Sequence, residues 1–181
     1  HGEEVAFPGG MKDNIDNSEE ETALRETEEE IGLPPDCIRV FCKLLPRVSK
    51  LQTFTVPVMA FVPKDAVSRS IPNHGEVDKV FSLPLKRFLQ KEGHRSIVMG
   101  YEIGRQFEAH FFDDTIADST NVTTWGLTAS ISIEVAVAVL QKMPEFSYGL
   151  AKVTTLKSPF AEQEVYLKAY TDRCKNFHPK L

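Results

Sequence analysis

The sequence has no long apolar run, no excess of positive charge and few cysteines. No uninterrupted apolar stretch reaches the about 18 residues that a membrane-spanning helix needs, so we predict no membrane span. A net charge of −5 argues against a nucleic-acid partner. Cys37, Cys42 and Cys174 are odd in number and lack metal-ligand spacing, which predicts reduced, intracellular thiols.

The composition is that of an ordinary globular protein. The chain has 181 residues, of which 41% are hydrophobic and 26% are charged, and it has no internal repeat or low-complexity linker. This length predicts one domain spanning residues 1–181 that can bury about two-thirds of its unfolded surface. We predict no secretory signal.

The most informative segment is residues 7–33, FPGGMKDNIDNSEEETALRETEEEIGL. A Pro-Gly-Gly turn and a polar loop precede a short acidic helix. Asn17 or Ser18 can cap its start, and Gly32 supplies the left-handed position that ends it. The helical period places one apolar face on the helix, with the expected packing residues Ala23, Leu24, Thr27 and Ile31.

A second face of this helix carries carboxylates. Glu26, Glu29 and Glu30 are neighbours at i, i+3 and i+4, and such pairs repel by a few tenths of a kcal/mol each when exposed. Arg25 is the one cation in this stretch, and it is too few to offset the repulsion. A hard divalent cation with oxygen ligands would offset it. The alternative is a solvated acidic helix face.

These residues resemble the signature of the nudix hydrolases. Six of its positions are matched here, namely Arg25, Glu26, Glu29, Glu30, Gly32 and Leu33. Thr27 replaces an aliphatic residue, and the loop before the helix is longer than in the general signature. The long loop after FPGG is similar to that of the coenzyme A diphosphatase branch, as is the Trp-Gly-x-Thr-Ala sequence that starts at Trp125.

The resemblance implies a site for Mg²⁺ or Mn²⁺. Its metal ligands would be Glu26 and Glu30, joined by Glu29 and by a backbone carbonyl of the turn, at Gly9 or Gly10. Glu29 or Glu26 would accept a proton from the attacking water. Arg25 would form an ion pair that orients a glutamate. Glu76 would position water or metal from the opposite wall of the cleft, or else be a structural carboxylate.

The implied fold is an α/β/α nudix sandwich with a mixed sheet and the acidic helix packed against it. The family has further strands before the signature, so we expect that the N-terminal part of the native domain is missing from this chain. The local patterns predict strands at 37–46, 53–62, 96–102 and 106–112, and the resemblance implies a strand and turn at 76–85. They predict helices at 85–90, 127–141 and 161–175, the second packing through Ile131, Val135, Val139 and Leu140.

The implied reaction is hydrolysis of the pyrophosphate bond of coenzyme A or acyl-coenzyme A, giving 3′-phospho-AMP and (acyl-)phosphopantetheine. The alternatives are another substrate of the ADP-ribose or NADH type, or a non-catalytic nucleotide-binding module. The C-terminal Pro179-Lys180-Leu181 is similar to the Ser-Lys-Leu peroxisomal address, which predicts a peroxisomal import receptor as partner. Otherwise the location would be cytoplasmic or mitochondrial.

Three further groups allow two interpretations each. Residues 47–50 are either a phosphate-facing basic segment or a solvated turn. The aromatic residues near the end of strand 106–112 either flank an adenine or pantetheine group or form sheet core; they are Phe107, His110, Phe111 and Phe112. His94 and His110 are either catalytic or structural, and their residue type alone favours the structural role.

Overall fold

The acidic helix, α1 (Glu19–Ile31), begins and ends as its capping residues predict. The computed structural model describes residues 4–48, 54–100 and 106–148. Ser18 Oγ accepts a hydrogen bond from Glu21 N at 3.2 Å, and Glu21 Oε2 reaches back to Asn17 N at 2.7 Å. Gly32 adopts φ 65° and its N–H donates to Glu28 O at 2.9 Å. Ser18 is therefore the N-cap, because its hydroxyl satisfies a free amide of the first turn.

The predicted packing face of α1 is only half-buried. Ala23, Leu24, Thr27 and Ile31 all keep partial exposure, and Thr22 is the buried residue of the helix. Among the described elements, α1 packs on a short 3₁₀ helix (Pro35–Cys37) and on the strand Val58–Phe61. Because these contacts are few, the apolar side of the helix is only half-covered.

The segment after α1 forms a long, interrupted hairpin. Strand β1 (Arg39–Lys43) pairs antiparallel with β4 (Val58–Phe61), and β2 (Arg47–Val48) pairs with β3 (Phe54–Thr55). Pro57 interrupts the second arm, and its carbonyl accepts a hydrogen bond from Leu44 N at 2.9 Å. The strands predicted at 37–46 and 53–62 are confirmed, but the first begins later than expected because the chain at residue 37 is still in the 3₁₀ helix.

A second sheet and a long helix form the core. Strands β5 (His94–Gly100), β6 (Gln106–Thr115) and β7 (Asn121–Trp125) pair antiparallel in that order, and α3 (Gly126–Leu140) follows β7 directly. A 3₁₀ helix (Leu85–Leu89) packs on α3, confirming a short helix there. The buried core consists of Phe88, Leu89, Phe112, Ala129, Ile133 and Ala136.

The α/β class is confirmed, but the predicted mixed sheet is not found in the described residues, where all strand pairs are antiparallel. One local prediction was wrong, because residues 76–84 form a turn and irregular chain instead of a strand. The chain before them contains the short helix α2 (Ala66–Arg69). None of the helices in the described residues has the length and apolar character needed to cross a membrane.

The packing stripe predicted for α3 is confirmed only in part, since Ile131 is buried and Leu140 packs against the core but Val139 does not. Ile131 is buried, but Val139 is 60% exposed, and Val135 and Leu140 are half-buried. This helix packs on the 3₁₀ helix and on strands β6 and β7, so its residues are buried on several sides between 129 and 136. A helix that is apolar nearly all round carries no periodic signal of which face is inside.

Several predictions concern residues that the structure does not describe. These are the helix at 161–175, the C-terminal tripeptide at 179–181, Cys174 and the side chain of Phe107. Of the other cysteines, Cys37 and Cys42 are both free thiols, as the sequence predicts.

Arg47 forms a buried ion pair with Glu134 of α3. Its Nη1 donates to Glu134 Oε1 at 2.9 Å, its Nη2 donates to Oε2, and both side chains are 7% exposed. Both interpretations of Arg47, phosphate contact and solvated turn, are therefore wrong. The pair joins the hairpin to α3 across 87 residues of sequence.

We predict that Arg47→Met lowers the free energy of unfolding by about 3–5 kcal/mol, because it leaves Glu134 charged and buried without its guanidinium partner. Urea denaturation measures the loss. A double variant, Arg47→Met with Glu134→Leu, should recover most of the stability, since an apolar pair removes the uncompensated charge. A loss below about 1 kcal/mol in the single variant would contradict the prediction.

An aromatic cluster lies at the end of the second sheet. His94 Nε2 and His110 Nδ1 are 3.0 Å apart, and the His94 ring stacks on Phe146 with 3.6 Å between centroids. His110 is 3% exposed and lies against Tyr148. Phe112 is fully buried, which confirms the core interpretation for that residue, and Phe111 stacks on Trp125.

Burial, with a smaller contribution from His110, lowers the pKa of His94 to about 4. The unfolded chain binds a proton at His94 near its usual pKa of about 6.5, and the folded chain does not. The stability that His94 contributes by staying neutral is therefore complete above about pH 6.5 and is lost as the pH falls towards 4.

We predict that the free energy of unfolding falls less between pH 7.5 and 5.0 in His94→Phe than in the wild-type chain, as measured by urea denaturation. Equal losses in both proteins would contradict this assignment.

Candidate active site

Two glutamates of α1 converge on the Gly9-Gly10 turn. Gly9 N donates a hydrogen bond to Glu30 Oε2 at 3.2 Å. A methyl group added at Gly10 would lie 2.6 Å from Glu26 Cδ, so the Glu26 carboxylate lies directly against this glycine. The i, i+4 spacing brings both side chains to one face of the helix, and the turn approaches that face closely because it carries no side chains.

Arg25 binds the carboxylates of the same helix and the loop before it. Its Nη2 donates to Glu26 Oε1 at 3.0 Å, and its Nη1 donates to Glu29 Oε2 at 2.8 Å. The same Nη2 donates to the carbonyl oxygen of Met11 at 3.1 Å. Arg25 therefore forms the orienting ion pair expected from the sequence. It contacts two of the three glutamates, so pairing within the helix relieves more repulsion than we predicted.

Asp16 was missed by the sequence analysis. Its carboxylate, 4% exposed, accepts hydrogen bonds from Arg25 Nε at 3.1 Å and from Arg25 Nη2 at 3.0 Å. Arg25 and the backbone amide of Asp13 hold the pKa of Asp16 down at about 2. The loop that carries Asp16 folds back on itself through Asp13, and a one-dimensional pattern has no signal for such a contact.

Negative charge accumulates around Glu30. Burial raises the pKa of Glu30 above its ordinary value, and the charges of Glu26, Glu76 and Glu29 raise it further. The hydrogen bond from Gly9 acts in the opposite direction. The position of Glu30 thus favours neutralisation of its charge, by a proton or by a cation.

Glu76 is brought to this site by the chain that covers the end of α1. Ile71 N donates to Ile31 O at 2.8 Å, and Asn73 N donates to Glu30 O at 2.9 Å. Glu76 N then bonds Asn73 O at 2.9 Å, closing a turn beside the helix end. The structure thereby places Glu76 within electrostatic range of Glu30, on a different chain segment. Its role as water-positioning or structural carboxylate stays a prediction.

The donor set fits a divalent cation held by few protein ligands. Among the described residues, no group of three or more His, Cys, Asp or Glu side chains is arranged to hold a metal ion. Glu29 is 54% exposed and paired with Arg25, whereas Glu26 and Glu30 share the glycine turn. Mg²⁺ typically takes one or two carboxylates and completes its shell with waters and substrate phosphates. Glu26, Glu30 and the turn satisfy that requirement.

An open cavity of about 290 Å³ lies beside Glu26. It is lined by Met11, Lys12, Asp13, Asn14, Arg25 and Glu26. The loop after the glycine turn forms one wall and α1 forms the other. A substrate phosphate in this space would lie next to the Glu26 carboxylate.

Known sequences identify the family. The profile of the NUDIX domain matches residues 1–99, which is more than half of the chain. The chain belongs to the NUDIX family.

Three relatives cover most of this Nudix chain. It is 38% identical over 146 residues to "Nudix hydrolase 15, mitochondrial" of Arabidopsis thaliana and 34% identical over 178 residues to "Nudix hydrolase 22, chloroplastic" of the same plant. It is 35% identical over 147 residues to "Peroxisomal coenzyme A diphosphatase NUDT7" of Mus musculus. These alignments cover 81%, 98% and 79% of the chain but 50%, 57% and 60% of the relatives. The chain therefore spans between half and three-fifths of their length.

We predict that Gly10→Ala weakens Mn²⁺ binding to this Nudix chain, because the new methyl group displaces the Glu26 carboxylate that Arg25 holds. The loss should be at least about tenfold in affinity, as for other supports of metal ligands. Gly9→Ala is the matched control, since its methyl group meets no atom within 4 Å and should cost less. Electron paramagnetic resonance of free Mn²⁺ during a titration measures the Mn²⁺ affinity of both variants. Equal losses would contradict the close approach at Gly10.

Proposed function

We propose that this chain carries the site of a Nudix pyrophosphohydrolase that uses Mg²⁺ or Mn²⁺ to cleave the diphosphate bond of coenzyme A or acyl-coenzyme A. The observation that carries the proposal is the convergence of Glu26 and Glu30 on the Gly9-Gly10 turn. Two carboxylates beside an open cavity can hold a cation against a phosphate. The products would be 3′-phospho-AMP and (acyl-)phosphopantetheine.

Each residue then has a defined role. Glu26 and Glu30 hold the cation, with Glu29 and the Gly9 carbonyl as further ligands. A cation held there would supply charge neutralisation at the diphosphate and would lower the pKa of an attacking water. Glu29 or Glu26 would accept the proton that this water loses, and Glu76 would position the water or the metal. Arg25 keeps Glu26 and Glu29 in position through its 3.0 and 2.8 Å contacts.

The choice of coenzyme A rests on two observations. The loop between Gly10 and Ser18 is long, and it lines the cavity beside Glu26. A relative covering 79% of the chain is named as a coenzyme A diphosphatase. The α1 carboxylates suit any diphosphate, so ADP-ribose and NADH are the competing substrates. We also propose that residues 1–181 belong to a single Nudix domain.

The cellular location is proposed from the names of the relatives. One relative is named peroxisomal, one mitochondrial and one chloroplastic. The proposed location is peroxisomal, with an import receptor as partner, and residues 179–181 are the predicted address to be tested. Fluorescent fusions with and without residues 179–181 test it; unchanged distribution after truncation would contradict it.

We predict that Glu30→Gln loses at least about 100-fold in metal-dependent turnover, because Lewis-acid catalysis supplies several kcal/mol and each 1.4 kcal/mol is about tenfold. Circular dichroism should show an unchanged fold. Glu28→Gln is the control, since Glu28 lies on the same helix with its side chain exposed. Undiminished turnover in Glu30→Gln would remove Glu30 from the site.

Product analysis decides the substrate. The full-length protein is incubated with Mg²⁺ and either coenzyme A or ADP-ribose, and the products are separated by chromatography. We expect 3′-phospho-AMP from coenzyme A at a kcat/KM at least about tenfold above that for ADP-ribose. The reverse ratio would assign an ADP-ribose-type substrate. Binding in calorimetry with no hydrolysis over hours would assign a non-catalytic nucleotide-binding module.

A further inference from the structure

An ion pair between Asp16 and Arg25 links the loop before α1 to the helix. Asp16 is 4% exposed at its side chain, and Arg25 lies nine residues further along the chain. Arg25 Nε donates to both carboxylate oxygens, at 3.1 and 3.3 Å, and Nη2 donates to Oδ2 at 3.0 Å. Such charge-assisted fork contacts fix the plane of a guanidinium as well as its position.

Arg25 also donates hydrogen bonds to groups of the candidate site. Nη2 also contacts Glu26 Oε1 and the Met11 carbonyl, and Nη1 contacts Glu29. The orientation that Asp16 gives to the Arg25 guanidinium therefore determines the positions of its hydrogen bonds to Glu26 and Glu29. Since Glu26 lies between Arg25 and Gly10, a rotated guanidinium would release the carboxylate from that turn.

We propose that Asp16 is a positioning residue that acts through Arg25. Its carboxylate fixes the Arg25 guanidinium, which in turn holds the 9–17 loop and the Glu26 carboxylate in the arrangement used for cation binding. The consequence for hydrolysis rests on the proposed function. The coupling of Asp16 to the loop and to Glu26 does not.

A local structural role is the competing explanation. Asp16 also closes a turn with Asp13, whose N–H donates to Asp16 Oδ2 at 2.9 Å and whose carbonyl accepts from Asp16 N at 3.1 Å. If that were its whole role, its loss would lower stability and leave Arg25 and Glu26 unchanged. The two roles therefore differ in what happens at Arg25, Gly10 and the cation.

The test compares Asp16→Asn with the wild-type chain. Asparagine keeps the shape but replaces one acceptor oxygen with a donor NH₂, which cannot face the guanidinium. Asp16→Glu restores the charge on a longer stem and should recover part of the effect. Asp113→Asn is the matched control, because it removes a carboxylate paired with Arg95 at 3.3 Å on the second sheet.

Three readouts are needed. Nitrogen-15 nuclear magnetic resonance follows the Arg25 Nε–H and the Gly9 and Gly10 amides without metal. Electron paramagnetic resonance gives the Mn²⁺ affinity, and steady-state kinetics on coenzyme A gives kcat and KM. In Asp16→Asn we expect shifted Arg25 and Gly10 signals, at least about tenfold weaker Mn²⁺ binding, and reduced kcat with KM within about twofold of wild type.

The outcomes separate the two proposals. A lower melting temperature in Asp16→Asn, with wild-type Arg25 and Gly10 signals and wild-type Mn²⁺ affinity, overturns the positioning role. The positioning role is also overturned if Asp113→Asn changes the Arg25 and Gly10 signals and the Mn²⁺ affinity as much as Asp16→Asn does. If the wild-type chain cleaves no diphosphate, the proposed function fails. The metal-free resonance signals then decide the role of Asp16 by themselves, shifted signals supporting it and unchanged signals overturning it.

Discussion

The site depends on the mutual repulsion of carboxylates crowded onto two turns of one helix. Glu26, Glu29 and Glu30 would separate into solvent if nothing opposed their charge. The structure opposes it with one guanidinium and one backbone amide: Arg25 binds Glu26 and Glu29, and Gly9 N binds Glu30. Part of the charge at Glu30 stays uncompensated, since burial and three neighbouring glutamates raise its pKa. A divalent cation would complete the compensation.

The rest of the fold serves to hold the partners of these carboxylates in place. The chain after α2 covers the helix end through Ile71 and Asn73, and this contact brings Glu76 within electrostatic range of Glu30. The hairpin is joined to α3 by the buried pair of Arg47 and Glu134. Rigidity matters here because a cation site loses affinity when its ligands are held loosely.

Sequence reasoning succeeded where the signal is local. Ser18 and Gly32 define the ends of α1 because capping depends on a few neighbouring residues, and the shared face of Glu26 and Glu30 follows from helical spacing. It failed where contacts are distant in sequence or depend on loop conformation. Asp16 reaches Arg25 through a folded loop, and Arg47 meets Glu134 across 87 residues. The buried face of α3 was predicted only in part because that helix is apolar nearly all round.

The central claim is that Glu26 and Glu30 hold a divalent cation at the Gly9-Gly10 turn. Paramagnetic broadening by substoichiometric Mn²⁺, read on carbon-13-labelled glutamate carboxylates, tests it most directly. The account predicts early, selective broadening of Glu26 and Glu30 together with the Gly9 and Gly10 amides, while exposed carboxylates such as Glu28 and Glu92 stay sharp. Equal broadening of all the acidic side chains would contradict it.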